Sequence, residues 1–157
     1  MPSFRTQRIV KHSPREMFEL VSDVERYPEF LPLCEKLVLH SRGLKQDGTE
    51  EILATMTVGY GPINESFTTR VRLDRVKQEI FVSYVNGPFR HLENTWGFRP
   101  HPDGCRVEFS IAYEFRSMAL GMMMGALFDR AFRKFAEAFE ARADEIYGDE
   151  GPALTRA

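Results

Sequence analysis

The chain has 157 residues, a length that suits one domain, and its 43% hydrophobic content is that of a globular protein. Twenty-one Lys and Arg stand against 23 Asp and Glu, a formal net charge of −2. This excludes a general electrostatic attraction to nucleic acid or anionic lipid and leaves only local basic patches. Thirteen Phe bring large apolar area without a polar tip, enough to fill a big core or to line a cavity.

Residues 4–11 mix apolar and polar side chains and are predicted to form a first strand. Ser13-Pro14-Arg15-Glu16 follows, a capping box with proline at the first helical position. Met17, Phe18, Leu20 and Val21 give the helix an apolar face. In Tyr27-Pro28-Glu29-Phe30-Leu31-Pro32 two close prolines forbid a long helix but allow one turn.

From residue 33 to 115 the pattern changes to alternation and tight turns. Asp47-Gly48, Asn86-Gly87 and Asp103-Gly104 are hairpin signals. Between them lie six predicted strands, at residues 36–42, 50–58, 63–75, 79–85, 91–100 and 106–115, joined as an antiparallel meander. Phe67, Thr69, Val71 and Leu73 share one face, as do Leu92, Asn94, Trp96 and Phe98, and Val107, Phe109, Ile111, Tyr113 and Phe115. Such a sheet is covered on one side.

Only the C-terminal segment is long enough to cover it. Residues 118–147 lack proline, and Phe128, Ala131, Phe132, Phe135, Ala138, Phe139 and Ile146 recur at helical spacing. One long helix of about 45 Å is expected. The expected domain spans residues 1–147, with 148–157 as a disordered tail. The architecture is therefore α+β: a curved antiparallel sheet of about six to seven strands around a long C-terminal helix, with two short helices after the first strand. A gap between helix and sheet is where a ligand would bind.

The segments Phe18-Glu19-Leu20-Val21-Ser22-Asp23-Val24-Glu25-Arg26-Tyr27-Pro28-Glu29-Phe30-Leu31-Pro32, Gly87-Pro88-Phe89, Trp96-Gly97-Phe98, Val107-Glu108-Phe109, Tyr113-Glu114-Phe115, Phe128-Asp129-Arg130-Ala131-Phe132 and Ala138-Phe139-Glu140 carry a resemblance. On these residues, from about Phe4 to Tyr147, the chain resembles the START-like, or helix-grip, superfamily. Within it the chain is similar to the coenzyme Q-binding branch, which also contains a bacterial ribosome-association toxin. The resemblance implies a hydrophobic tunnel under the long helix. It implies ubiquinone or a similar isoprenoid lipid as bound ligand rather than catalytic cofactor, and a carrier or chaperone role in respiratory electron transfer. The alternative it carries is a translation inhibitor that binds a ribosomal subunit, and beyond that a polyketide cyclase or aromatase. Mitochondrial members have a targeting leader that is not seen here, so a bacterial, cytoplasmic protein peripheral to the inner membrane is expected.

Each candidate site residue has a structural reading beside the functional one. Tyr27, Phe30 and Leu31 form a gate at the pocket rim or a packed turn capping the sheet. Tyr60, in Gly59-Tyr60-Gly61-Pro62, sits on a mobile lid or in a simple turn. Met118, Met122 and Gly125 open the last helix beside the pocket mouth, dip into a membrane surface or join the core. Gly121 and Gly125 are costly inside a helix and need a reason. Phe67, Trp96, Phe109 and Phe128 line the ligand or belong to the core. Phe135 and Phe139 are expected to be structural. Asn94, in the lane of Trp96, bonds a quinone oxygen or a neighbouring backbone.

Signals for catalysis are poor. The four histidines are scattered, no nucleophile elbow, phosphate loop or His-Glu-x-x-His is present, and no enzyme is expected. Cys34 and Cys105 are not in a metal-type pair, so no zinc is expected and two buried free thiols are. The longest apolar run, residues 118–128, falls short of the roughly 20 residues a membrane span needs.

Overall fold

A computed structural model describes residues 2–148. The tail expected to be disordered lies, from residue 149 on, outside the described residues. Strand β1 (Ser3–Val10) leads into helix α1 (Pro14–Ser22), which starts where the capping box puts it. The Ser13 hydroxyl accepts the Glu16 N–H, and the Glu16 carboxylate accepts the Ser13 N–H. A short 3-10 segment of about two turns at Val24–Glu29 accommodates Pro28, rather than the one turn expected. Six strands follow: β2 (Cys34–Leu44), β3 (Glu50–Tyr60), β4 (Ile63–Asp74), β5 (Glu79–Asn86), β6 (Phe89–His101) and β7 (Gly104–Phe115).

All seven strands form one antiparallel sheet in the order β1-β7-β6-β5-β4-β3-β2. The meander is continuous from β2 to β7, and β1 adds to its far edge. To get from β1 to β2 the chain must cross the whole sheet, and α1 with the 3-10 segment makes that crossing. Gly104 is required at the β6–β7 turn. Its φ is +143°, and a Cβ there would lie 2.3 Å from the Val10 carbonyl oxygen.

Alternation decides the faces. Along β7, Cys105, Val107, Phe109, Ile111 and Tyr113 are buried while the residues between them are partly exposed. Met17, Phe18, Leu20 and Val21 of α1 join the same core.

The C-terminal cover is two helices, not the single long one expected. Helix α2 (Met118–Arg133) and helix α3 (Phe135–Tyr147) meet at Lys134, whose φ and ψ are −99° and −2°. The Lys134 N–H bonds the Ala131 carbonyl at 3.0 Å, a tightened i to i−3 bond, and regular bonding resumes from Ala138 N–H to Lys134. Neither proline nor glycine stands at the break. Packing causes it: α2 lies on β7 through Phe128 and Phe132, whereas α3 lies against α1 and Trp96. One straight helix cannot follow both surfaces. At the bend, Phe132 and Phe135 meet edge to face, 5.4 Å between centroids.

Candidate functional site: an apolar slot under the C-terminal helices

The inner face of β3 to β6 and the helix bend enclose a slot of about 70 Å³. Ala54, Met56, Phe67 and Val71 form its floor, with Val82, Leu92 and Trp96 continuing it across β5 and β6. Phe132, Phe135 and Phe139 form the roof, and Val24 and Tyr27 of the 3-10 segment close one end. That volume is well below the roughly 300–1,000 Å³ typical of ligand pockets. A ligand with a tail therefore enters only if the walls part. Leu37, Met56, Val82 and Phe135 are each half-buried, so they are the walls freest to move.

Polar groups in the lining are few. The Asn94 amide donates to the Ser110 carbonyl at 2.8 Å, and its oxygen accepts the Trp96 indole N–H at 3.1 Å. One amide N–H and one oxygen lone pair are left over. Thr69 adds a hydroxyl. The Tyr27 hydroxyl donates to the Val21 carbonyl, and burial holds its phenol well above the usual value, so it stays a neutral donor. Among the described residues the slot's lining holds no carboxylate, imidazole, thiol or amine. What it can do chemically is exclude water, match an apolar shape and offer a few neutral hydrogen bonds.

The candidate residues fall into three groups. Tyr27, Phe67, Asn94 and Trp96 come together around the slot. Phe30, Leu31, Phe109 and Phe128 pack behind it. Phe30 stacks edge to face on Phe139 at 5.1 Å, Phe109 on Trp96 at 4.6 Å, and Phe128 on Phe67, Phe89 and Phe115. Leu31 is core. Tyr60, Met118, Met122 and Gly125 are not brought to the slot. Tyr60 is exposed at the β3–β4 tip, Met118 and Met122 are exposed on α2, and a Cβ on Gly125 would meet nothing within 4 Å.

Phe135 and Phe139, expected to be purely structural, line the slot, as do Phe132, Met56 and Thr69. The lane of Phe67, Thr69 and Val71 was the signal for Thr69. No signal marked the helix bend that turns the Phe132 and Phe135 rings together.

Other groups of chemical interest lie elsewhere. His12 is buried against α3, 2.7 Å from Asp144 and facing the Tyr147 ring. Cys34 and Cys105 are free and buried, and burial pushes each thiol up to about 11. Among the described residues no cluster of His, Cys, Asp and Glu could hold a metal ion. A larger hollow of about 530 Å³ lies on the outer face over Gly97, but it is open and lined by ion pairs such as Arg99 with Glu108.

Residues 10–140 match the family described as polyketide cyclase / dehydrase and lipid transport. The chain is 32% identical to the ribosome association toxin RatA of Escherichia coli K12, covering 94% of this chain and 90% of that one. It is 27% identical to the coenzyme Q-binding protein COQ10 homolog B, mitochondrial, of Xenopus laevis, covering 98% of this chain and 63% of that one. The solution structure of the 18 kDa protein CC1736 of Caulobacter crescentus is 36% identical. It superposes with a TM-score of 0.75 over 94% of this chain and 99% of that one.

Proposed function

The chain belongs to the polyketide cyclase/dehydrase and lipid transport family, and from that premise we propose that it binds ubiquinone or a similar isoprenoid lipid in the slot. It then acts as a carrier that supports respiratory electron transfer at the inner membrane. The observation that carries this reading is the lining itself: apolar side chains and rings on every wall, with Asn94, Thr69, Tyr27 and the Trp96 indole as its polar groups among the described residues. Burial of an isoprenoid tail contributes about 25 cal/mol per Å². The spare Asn94 N–H and the Thr69 hydroxyl are suited to donate to head-group carbonyls. The similarity to a coenzyme Q-binding protein over nearly the whole chain supports the same ligand class.

The test is organic extraction of protein purified from its native host, followed by mass spectrometry. A quinone or other isoprenoid should be recovered well above the amount from an unrelated protein purified alongside. Equal recovery from both would overturn the reading.

A second reading has its own support in the 32% identity to a ribosome association toxin over nearly the full length of both chains. It places a ribosomal subunit, not a lipid, as the partner. Overproduction followed by sucrose-gradient profiling tests it, and an unchanged ratio of free subunits to whole ribosomes rejects it.

A further inference from the structure

From residue 117 to 128 the chain carries no charge, and the side of α2 turned away from the sheet presents Met118, Met122 and Met123 at 83%, 82% and 62% exposure. Met118 and Met122 lie one turn apart, with Met123 beside them and Ala119 and Ala126 exposed between and beyond. Three neighbouring methionines in water on one helix face are an unpartnered apolar patch. The inner side of the same turns is satisfied: Met124 and Phe128 are buried.

Charge indicates the partner. Residues 116–134 hold four cations, Arg116, Arg130, Arg133 and Lys134, against the one acid Asp129, in a chain whose net charge is −2. Asp129 is taken by Arg133 at 2.9 Å. Arg116 stands just before the apolar turns and Arg130 about two turns beyond Met123. Both are exposed and without a carboxylate partner among the described residues. No described helix is long and apolar enough to cross a membrane, and the uncharged part of α2 covers only about three turns. An apolar stretch of that length bracketed by free arginines matches a helix lying in a bilayer interface over anionic headgroups.

We propose that the outer side of α2 docks on an anionic lipid bilayer, with Met118, Met122 and Met123 entering the headgroup–acyl boundary and Arg116 and Arg130 meeting lipid phosphates. The proposal rests on the surface of α2 and not on the contents of the slot, so vesicles free of quinone test it separately from the carrier reading.

The experiment is flotation of the full chain with vesicles of phosphatidylglycerol and phosphatidylcholine in equal parts, and with phosphatidylcholine alone. The wild type should float with the anionic vesicles and much less with the neutral ones, and added salt should weaken it. Met118→Ser/Met122→Ser/Met123→Ser should lower the affinity by at least about tenfold with circular dichroism and thermal midpoint preserved, because the three side chains touch little of the protein. Arg116→Ala/Arg130→Ala should remove the preference for anionic vesicles. The proposal is overturned if the wild type stays unbound, or if the methionine variant floats equally well. It is also overturned if light scattering shows a methionine-dependent dimer that binds no vesicle, which would make a second copy of the chain the occupant.

Discussion

The Trp96 indole donates its N–H to the Asn94 side-chain oxygen at 3.1 Å, two residues back on the same face of β6. Asn94 in turn holds the Ser110 carbonyl of β7 at 2.8 Å. The buried amide thus ties the slot's largest ring to the neighbouring strand, and only its spare N–H and lone pair remain for a ligand. Asn94→Ala should cost about 1–3 kcal/mol, because it strands a buried indole N–H. Urea unfolding measures this, and an unchanged midpoint would mean that the indole finds another acceptor.

Trp96 is the one tryptophan of the sequence and lines the slot, so its fluorescence reports directly on ligand entry. Titration with a short-tailed ubiquinone should quench it saturably. Val71 is 7% exposed on the slot floor. Val71→Phe should fill the space and shift the titration to at least about tenfold higher quinone, with overpacking costing about 1–3 kcal/mol of stability. Unaltered titration in a folded variant would place the ligand outside the slot.

Phe139 is 1% exposed and meets the rings of Tyr27, Phe30 and Trp96 at 5.3, 5.1 and 5.2 Å. It is both roof and core. Phe139→Ala should lower stability by about 3–5 kcal/mol. Chemical denaturation checks this, and a loss below about 1 kcal/mol would show that neighbouring rings collapse into the gap.

Gly121 and Gly125 have no packing role. A Cβ on Gly125 has open space, and one on Gly121 would rest 3.8 Å from Phe115, an ordinary contact. Each change to Ala should therefore stabilise the protein by about 1 kcal/mol through helix propensity. Thermal unfolding should show a higher midpoint for the double variant, and a lower one would mean that these turns need the freedom of glycine.

Burial raises the thiols of Cys34 and Cys105 from 9.0 to about 11. Both should resist Ellman's reagent at pH 8 in the native protein and react only on unfolding. A folded pKa above the unfolded one gives stability that is whole below about pH 9 and is lost as pH rises toward 11. The urea midpoint should fall over that window. Rapid native labelling at pH 8 would show that the strands around these residues open locally.

Local physics was readable in the residues themselves. The capping box at Ser13 and Glu16 placed α1, the Asp-Gly and Asn-Gly turns marked three hairpins, and the period-two lanes through Phe67, Trp96 and Phe109 sorted inner from outer face. These features depend on near neighbours, so sequence carries them. Tertiary packing alone decided the rest. The break at Lys134 comes from two surfaces that no straight helix can follow, and it turns Phe132 and Phe135 together as the slot roof. Helical spacing put Met122 and Phe135 on helices but could not say which surface each would meet, because periodicity defines a face and not its neighbour. The sheet covers one side of α2 and leaves Met118, Met122 and Met123 in solvent, and only the placed helix shows which side that is.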